Sequence, residues 1–388
     1  MFFSIEEYYF LKNYNMIIEI VTTGEIEQFK DCLNNVEQKE EVKSILILSC
    51  ENNYYTPNNI DKIITAVKKP IFGGIFPKII SGKKVMTEGS IIIGLRYESK
   101  SLILPVPDNH NVIEEKLLSF YYEVKDTTSM FIFTDGLAEG INNLIDNIFS
   151  VFGLNINYFG GGAGSLEQLT SSPCIFSNIG LLKNNAIIVS CNMHSGLGVK
   201  HGWNKISEAI HITESESNTI KTIDWEPAYT IYKNIVETHS GKHIDKDNFF
   251  EIAKAYPFGI SKYNGEMVVR DPIFINENDE IICVGEVPQN SIVNILHGTN
   301  EGLINAAKTA RIEAEKSFND STKQKSLFLI DCISRVLFLG DKFSEELDVV
   351  YNDAYPLFGI LSIGEIANTG NNFLEFYNKT TVAALLED

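Results

Sequence analysis

The chain holds four arginines, Arg96, Arg270, Arg311 and Arg335, among 32 basic residues. In a sequence rich in Asn, Ile and Lys, lysine is the default cation. An arginine kept against that default points to a need for the planar guanidinium fork, which grips a carboxylate through two parallel hydrogen bonds. Arg270 ends an apolar run before Asp271-Pro272, and Arg335 follows the strand-like SLFLIDCI (Ser326–Ile333). Ligands of α/β proteins gather at the carboxyl ends of strands. Arg335 is therefore the candidate clamp for a ligand carboxylate, and Arg270 a second candidate. The competing reading is a structural ion pair with a nearby acid such as Asp271, Glu345 or Glu346.

Other polar residues sit at strand ends as well. Asp135 follows FIFT, Glu365 follows ILSIG, and Asn378–Thr380 interrupts the last apolar run. Glu365, Asn378 and Thr380 are costly choices for a plain core. They form either a buried hydrogen-bond network or the wall of a pocket for a small polar molecule. The glycine-rich YFGGGAGSLEQL (Tyr158–Leu169) looks like a phosphate loop but fails the specific tests. No Lys-Ser/Thr follows Gly164, and the spacing does not fit Gly-x-Gly-x-x-Gly. Gly160, Gly161, Gly162 and Gly164 then mark either close backbone packing or a pocket wall whose N–H groups face a small ligand.

Nucleophiles and metal ligands are sparse. No Gly-x-Ser-x-Gly elbow is present. Cys332 lies three residues before Arg335, and a nearby cation lowers a thiol pKa. That keeps open a hydrolase or transferase with a cysteine nucleophile, against the plainer reading of a small apolar strand residue. His239 and His243 are four apart, but Gly241 intervenes and no Glu follows His239, so this is not a zinc-protease helix. His201 precedes Gly202-Trp203 and is either an ordinary loop histidine or a ligand or switch.

The elements that must position these residues repeat. SILILSC (Ser44–Cys50), SMFIFTDG (Ser129–Gly136) and SLFLIDCI each begin a unit that runs strand, helix, strand ending in Phe-Gly, turn, strand. The Phe-Gly pairs are Phe72-Gly73, Phe159-Gly160 and Phe358-Gly359, set at similar distances from the first strand. The expected fold is mixed α/β: strand-helix-strand-hairpin-strand units form mixed sheets flanked by helices. A second α+β part enters before the last unit. Residues 1–40 read as a lead-in, 41–204 as one domain and 205–388 as a second. Within the second, 205–320 is distinct and 321–388 returns to the first pattern.

Charge narrows the partners. A net charge of −19 argues against a nucleic-acid or anionic-membrane surface, since both require clustered Lys and Arg. The start, MFFSIEEYYFLKNY, lacks a basic leader region, and no apolar run approaches the roughly 20 residues that span a bilayer. Six cysteines without a CxxC pair fit reduced, buried thiols and a cytoplasmic location.

Several short stretches occur together in one order. They are FGGGAG (Phe159–Gly164), GVKHGWNKI (Gly198–Ile206), YPFGI (Tyr256–Ile260), VVRDP (Val268–Pro272), GEVPQNS (Gly285–Ser291), DCISRVLFLGDKFSEE (Asp331–Glu346) and the closing PLFGILSIGEI and FYNKT. In this ordered set the chain resembles the bacterial FIST sensory proteins, with FIST N and FIST C domains. The resemblance implies a non-enzymatic input module of signal transduction that binds a small molecule, amino acids especially. It implies output through a histidine kinase, a diguanylate cyclase or a chemoreceptor. Nothing after the FIST C segment carries an output domain, so a separate partner protein is expected. Some FIST proteins bind haem and sense gases, which makes His201 a candidate haem ligand; otherwise no cofactor is expected.

Overall fold

The computed structural model describes residues 16–107, 110–167, 172–262, 266–370 and 372–388. The leader reading of residues 1–14 and the end of the glycine-rich stretch, Gln168 and Leu169, lie outside them.

In chain order, β1 (Ile17–Val21) and α1 (Ile26–Glu37) come first. The first unit is β2 (Ser44–Cys50), α2 (Pro57–Ile64), β3 (Ile71–Phe76), the hairpin β4 (Lys78–Ser81) and β5 (Lys84–Met86), then β6 (Ser90–Leu95) and β7 (Ser99–Pro105). Helix α3 (His110–Glu123) leads to the second: β8 (Ser129–Asp135), α4 (Ile141–Phe152), β9 (Asn157–Ala163), the hairpin β10 (Ile175–Ser177) and β11 (Gly180–Leu182), β12 (Asn185–Cys191) and β13 (Ser195–Lys200). The inserted part holds β14 (Asn204–Lys205), β15 (Ile210–Glu216), β16 (Thr219–Ile223), β17 (Glu226–Pro227), α5 (Ala228–Ser240), α6 (Phe249–Ala253), β18 (Phe258–Ile260), β19 (Val268–Ile275), β20 (Ile281–Val284), β21 (Ile292–His297) and α7 (Asn300–Phe318). The third unit is β22 (Lys325–Cys332), α8 (Ile333–Leu339), α9 (Phe343–Val350), β23 (Leu357–Ser362), the hairpin β24 (Glu365–Ala367) and β25 (Glu375–Tyr377), and β26 (Thr381–Glu387).

The three repeated units are real and interlocked. Each contributes a parallel pair, β2 with β3, β8 with β9 and β22 with β23, flanked by its own antiparallel strand β6, β12 or β26. The hairpin of each unit leaves to complete another unit's sheet. β10–β11 joins the first sheet, β24–β25 the second and β4–β5 the third. Edge strands pass the other way: β7 borders the second sheet, β13 the third, and β1 the first. Strands buried on both faces explain the unbroken apolar runs. Every residue of SILILSC and SMFIFTD is buried.

The Phe-Gly pairs lie where the sheets meet. Phe72, Phe159 and Phe358 pair in register with Leu46, Phe131 and Phe328. Their rings meet at 5.1 Å (Phe72–Phe131), 4.6 Å (Phe131–Phe159) and 5.3 Å (Phe328–Phe358). The glycine that follows has one cause in all three copies. A Cβ on Gly73, Gly160 or Gly359 would stand 1.9, 1.8 or 2.3 Å from the carbonyl oxygen of Ile47, Ile132 or Leu329. No side chain fits that approach. Ile132 and Leu329 are thus the counterparts of Ile47.

The insertion closes on itself. β21, β15, β16, β20, β19 and β18 pair successively, and β18 returns to β21, all antiparallel. Closure removes exposed sheet edges. Helix α7 starts at Thr299, whose hydroxyl caps the Gly302 N–H at 3.1 Å. Its buried Leu303, Ala307, Ala310 and Ala314 follow helical spacing and press on β13 and β26. Among the described residues, no helix is long and apolar enough to cross a membrane.

Candidate functional site

A cleft of about 430 Å³ opens where the inserted barrel meets the interlocked core. That volume is in the usual range of small-molecule sites, about 300–1,000 Å³. The barrel supplies Lys262, Arg270 and Glu286, helix α4 supplies Asn142 and Asp146, and the displaced hairpin supplies Glu375 and Phe376. The walls thus come from three separate parts of the chain. The helix wall exists because α4 is amphipathic: its Ile141, Leu144, Ile145 and Ile148 are buried, which leaves Asn142, Asn143 and Asp146 for the rim.

Arg270 forms the floor. Strand β19 buries it to 3% exposure. Its Nε donates to the Glu286 carbonyl at 2.8 Å. Its Nη1 donates to the carbonyls of Val269 and Phe376, each at 3.0 Å, and to Asn378 Oδ1 at 3.2 Å. All four acceptors are neutral. Among the described residues Nη2 carries no hydrogen bond and no carboxylate is bonded to the guanidinium. Burial pulls its pKa down to about 10, against the opposing pull of Glu375 and Glu286. Room for it depends on Gly285, whose φ is +80° and whose Cβ would lie 3.1 Å from Arg270 Nε.

The remaining charges of the cleft are unevenly matched. Lys262 is bonded to Glu375 at 2.7 Å. Among the described residues, the Glu286 carboxylate accepts only an amide hydrogen bond, from Asn142 Nδ2 at 3.1 Å. The Asp146 carboxyl is raised by burial and by Glu286, with Lys262 acting the other way. Among the described residues, the cleft is therefore amphoteric, with an incompletely satisfied cation below and two acids without a bonded cation on its walls.

Arg335 has a different fate. It is fully enclosed in α8, and each of its three nitrogens has an acceptor. Nη2 meets Glu346 at 2.6 Å and the Leu303 carbonyl at 3.0 Å, Nη1 meets the His201 carbonyl at 2.8 Å, and Nε lies 3.0 Å from Asp331. Burial opposes its charge, yet Glu346 and Asp331 outweigh burial and hold the guanidinium protonated. Burial raises Glu346 well above the carboxylate range despite Arg335. Arg335 stays charged among more acids than it can neutralise, and Glu346, buried beside Asp331, holds its proton far more tightly than a free carboxyl does. Arg335 thus forms the structural pair with Glu346.

The other predicted residues divide between the two arginines. Asn378 stands with Arg270. Glu365, fully buried, accepts from Ser362 Oγ at 2.7 Å and the Thr380 N–H at 3.2 Å, and burial raises its carboxyl far above normal, reinforced by Asp331. It pairs in register with Gly161. The glycine run is crossed by the β23–β24 turn. A Cβ on Gly162 would meet the Ile363 carbonyl oxygen at 2.3 Å. The Gly162 and Gly164 N–H groups are bonded to the carbonyls of Gly364 and Ile75, each at 2.8 Å. The N–H groups that a pocket wall would offer are thus used inside the protein.

His201 is 6% exposed. Its Nδ1 accepts from the Trp203 N–H at 2.9 Å, and its Nε2 lies 3.4 Å from Glu266. Neither nitrogen is free, so this arrangement does not fit an axial haem ligand. Burial lowers the ring pKa to about 4, with Glu266 opposing and Arg335 and Lys200 adding to the drop. Cys332 is buried, and its thiol is driven far upward by burial and then by Glu365, the reverse of an activated nucleophile.

A second depression, about 560 Å³, lies across the core by His194 and Asn157. Its Lys323 and Glu387 are bonded to each other at 2.9 Å, so no displaced charge awaits a ligand there. Lys262, Glu286, Glu375, Asn142 and Asp146 of the first cleft escaped sequence reasoning. One signal was available. VVRDP and GEVPQNS, neighbours in the chain, and the distant FYNKT all contribute to the Arg270 cleft or its floor.

Two family models match this chain. The FIST N domain covers residues 44–226 and the FIST C domain covers residues 228–368. No curated relative matches it. The chain belongs to the FIST family, whose domains are sensory domains of signal transduction.

Proposed function

We propose that this FIST protein is a ligand-sensing input module whose site is the Arg270 cleft. The ligand is an amino acid or a similar small carboxylate metabolite. Its carboxylate sits on Arg270, and Asn378 and the Phe376 carbonyl hold the guanidinium in place. One observation carries this reading: a buried arginine on the cleft floor that, among the described residues, has only neutral hydrogen-bond partners and a terminal nitrogen without one. A desolvated guanidinium in that state attracts an anion more strongly than an exposed lysine does.

Signalling follows from where Arg270 is anchored. Phe376 lies on the hairpin that the third unit lends to the second sheet, and Asn378 lies just beyond it. A ligand that redirects Arg270 shifts these bonds and the seating of the barrel on the core. A partner protein, such as a histidine kinase, a diguanylate cyclase or a chemoreceptor, then reads that arrangement. The role is binding without turnover, in keeping with the suppressed Cys332 thiol.

Thermal-shift screening of the purified protein against amino acids and related carboxylates tests this. The expected result is a stabilising ligand whose shift disappears in Arg270→Gln. A ligand that binds Arg270→Gln as well as the wild type would sink the assignment. A haem absorption band in freshly purified protein would replace it with a haem sensor.

A further inference from the structure

We infer that the cleft selects a diamino carboxylate, a basic amino acid of the lysine and ornithine type, over neutral and acidic amino acids. This rests on the assignment of the Arg270 cleft as the ligand site and adds the ligand's chemical class. The reason is the charge inventory of the walls. Lys262 and Glu375 cancel as a bonded pair at 2.7 Å. Arg270 takes the single carboxylate. Glu286 and Asp146 then remain, one with only an amide partner and the other without a side-chain hydrogen bond among the described residues. Asn142, which touches Glu286, lies one helical turn before Asp146 on α4. Residues four apart on a helix are roughly 5–6 Å apart at Cβ, so the two acids border one space.

An α-amino acid with an apolar side chain brings one ammonium group. It neutralises one acid and leaves the other beside the ligand with no cation to match it, an unfavourable arrangement in a half-enclosed site. An acidic amino acid adds a third negative group to the same walls. A second ammonium on the side chain meets the remaining acid and closes the charge balance: one carboxylate on Arg270, two ammonium groups on Glu286 and Asp146. The selectivity comes from repulsion of the wrong ligands as much as from attraction of the right one.

Norleucine and lysine make the discriminating pair, since they share the carbon chain and differ in the terminal ammonium. Isothermal titration of the wild-type protein is expected to show lysine or ornithine binding at least tenfold tighter than norleucine, with glutamate weakest. In Glu286→Gln and Asp146→Asn, each checked for an unchanged melting temperature without ligand, the lysine-to-norleucine ratio is expected to fall several-fold. Norleucine binding as tightly as lysine, with both lost in Arg270→Gln, would overturn the diamino inference and leave the carboxylate site standing. No response to any of these amino acids in the wild type, or binding untouched by Arg270→Gln, would overturn the underlying assignment as well.

Discussion

Arg335 and Arg270 are both withdrawn from water, yet their surroundings are opposite. Arg335 is surrounded by charge, with Glu346 at 2.6 Å, Asp331 at 3.0 Å and two carbonyls. Among the described residues Arg270 is bonded only to carbonyls and an amide oxygen, and part of its fork faces a cleft. A buried ion pair is self-contained: its field is cancelled over a short distance and no outside group is needed. A buried cation solvated by dipoles alone keeps an attraction for an anion. The contrast separates a structural arginine from a binding one by partner chemistry, since burial alone is nearly the same for both.

The repeat sharpens the contrast. Asp331 occupies the position held by Ser49 in the first unit and Thr134 in the second, as the registers with Leu361, Ile75 and Gly162 show. In the first copy Ser49 and the opposing Ser90 form a neutral hydroxyl pair at 2.7 Å. In the third, Asp331 accepts from the opposing Thr381 at 3.0 Å and also meets Arg335. One backbone position therefore tolerates either an uncharged pair or a charged network. The network ties α8 and α9 to β22 and, through the His201 and Leu303 carbonyls, to the segments on either side of the barrel.

The largest expected effect separates the two arginines by stability. Arg335→Met strands Glu346 and Asp331 without their cation and is expected to cost ~3–5 kcal/mol. Arg270→Met removes bonds to neutral acceptors only and should cost ~1–2 kcal/mol. Urea denaturation of both variants decides it, and equal losses would erase the distinction drawn here.

A somewhat smaller effect comes from His201, whose carbonyl serves Arg335 and whose ring is kept neutral. Its lowered pKa means that its contribution is intact above about pH 6.5 and declines as pH falls toward 4, by up to about 3 kcal/mol. Stability curves of wild type and His201→Gln between pH 7 and pH 4 should converge as pH falls. Parallel curves would show that the histidine takes no part in the acid sensitivity of the Arg335 region.

The smallest effect concerns Glu365, which is already held protonated by its burial. Glu365→Gln is expected to change stability by less than ~1 kcal/mol near pH 6. A raised carboxyl pKa favours the fold at low pH and loses that benefit as pH rises. The variant should therefore gain on wild type in thermal melts taken at increasing pH. A large loss at pH 6 would mean that Glu365 is charged and belongs to the ion network.

The chain's local patterns made much of the fold legible. Buried strands betray themselves as unbroken apolar runs, and the Phe-Gly signature marks each copy because a carbonyl oxygen leaves no room for a Cβ. The hairpin exchange was not legible. β4–β5, β10–β11 and β24–β25 look like ordinary local hairpins, and nothing in their residues says which sheet they complete. The site was half legible. Arg270, Arg335, Glu365 and Asn378 stood out as costly polar choices near strand ends, but their types did not say which arginine was paired. Lys262, Glu286, Asp146 and Glu375 looked like ordinary surface charges.

The sequence by itself determined the strands, the helices, the threefold repeat and the identity of the few arginines, because these depend on periodicity and on residue type. Tertiary structure decided which arginine was neutralised and which faced open space. That outcome depends on groups brought together from positions as distant as Asn142 and Glu286, or His201 and Arg335. Coulomb and desolvation energies act over a few ångströms through space, and the order of residues along the chain does not encode those distances.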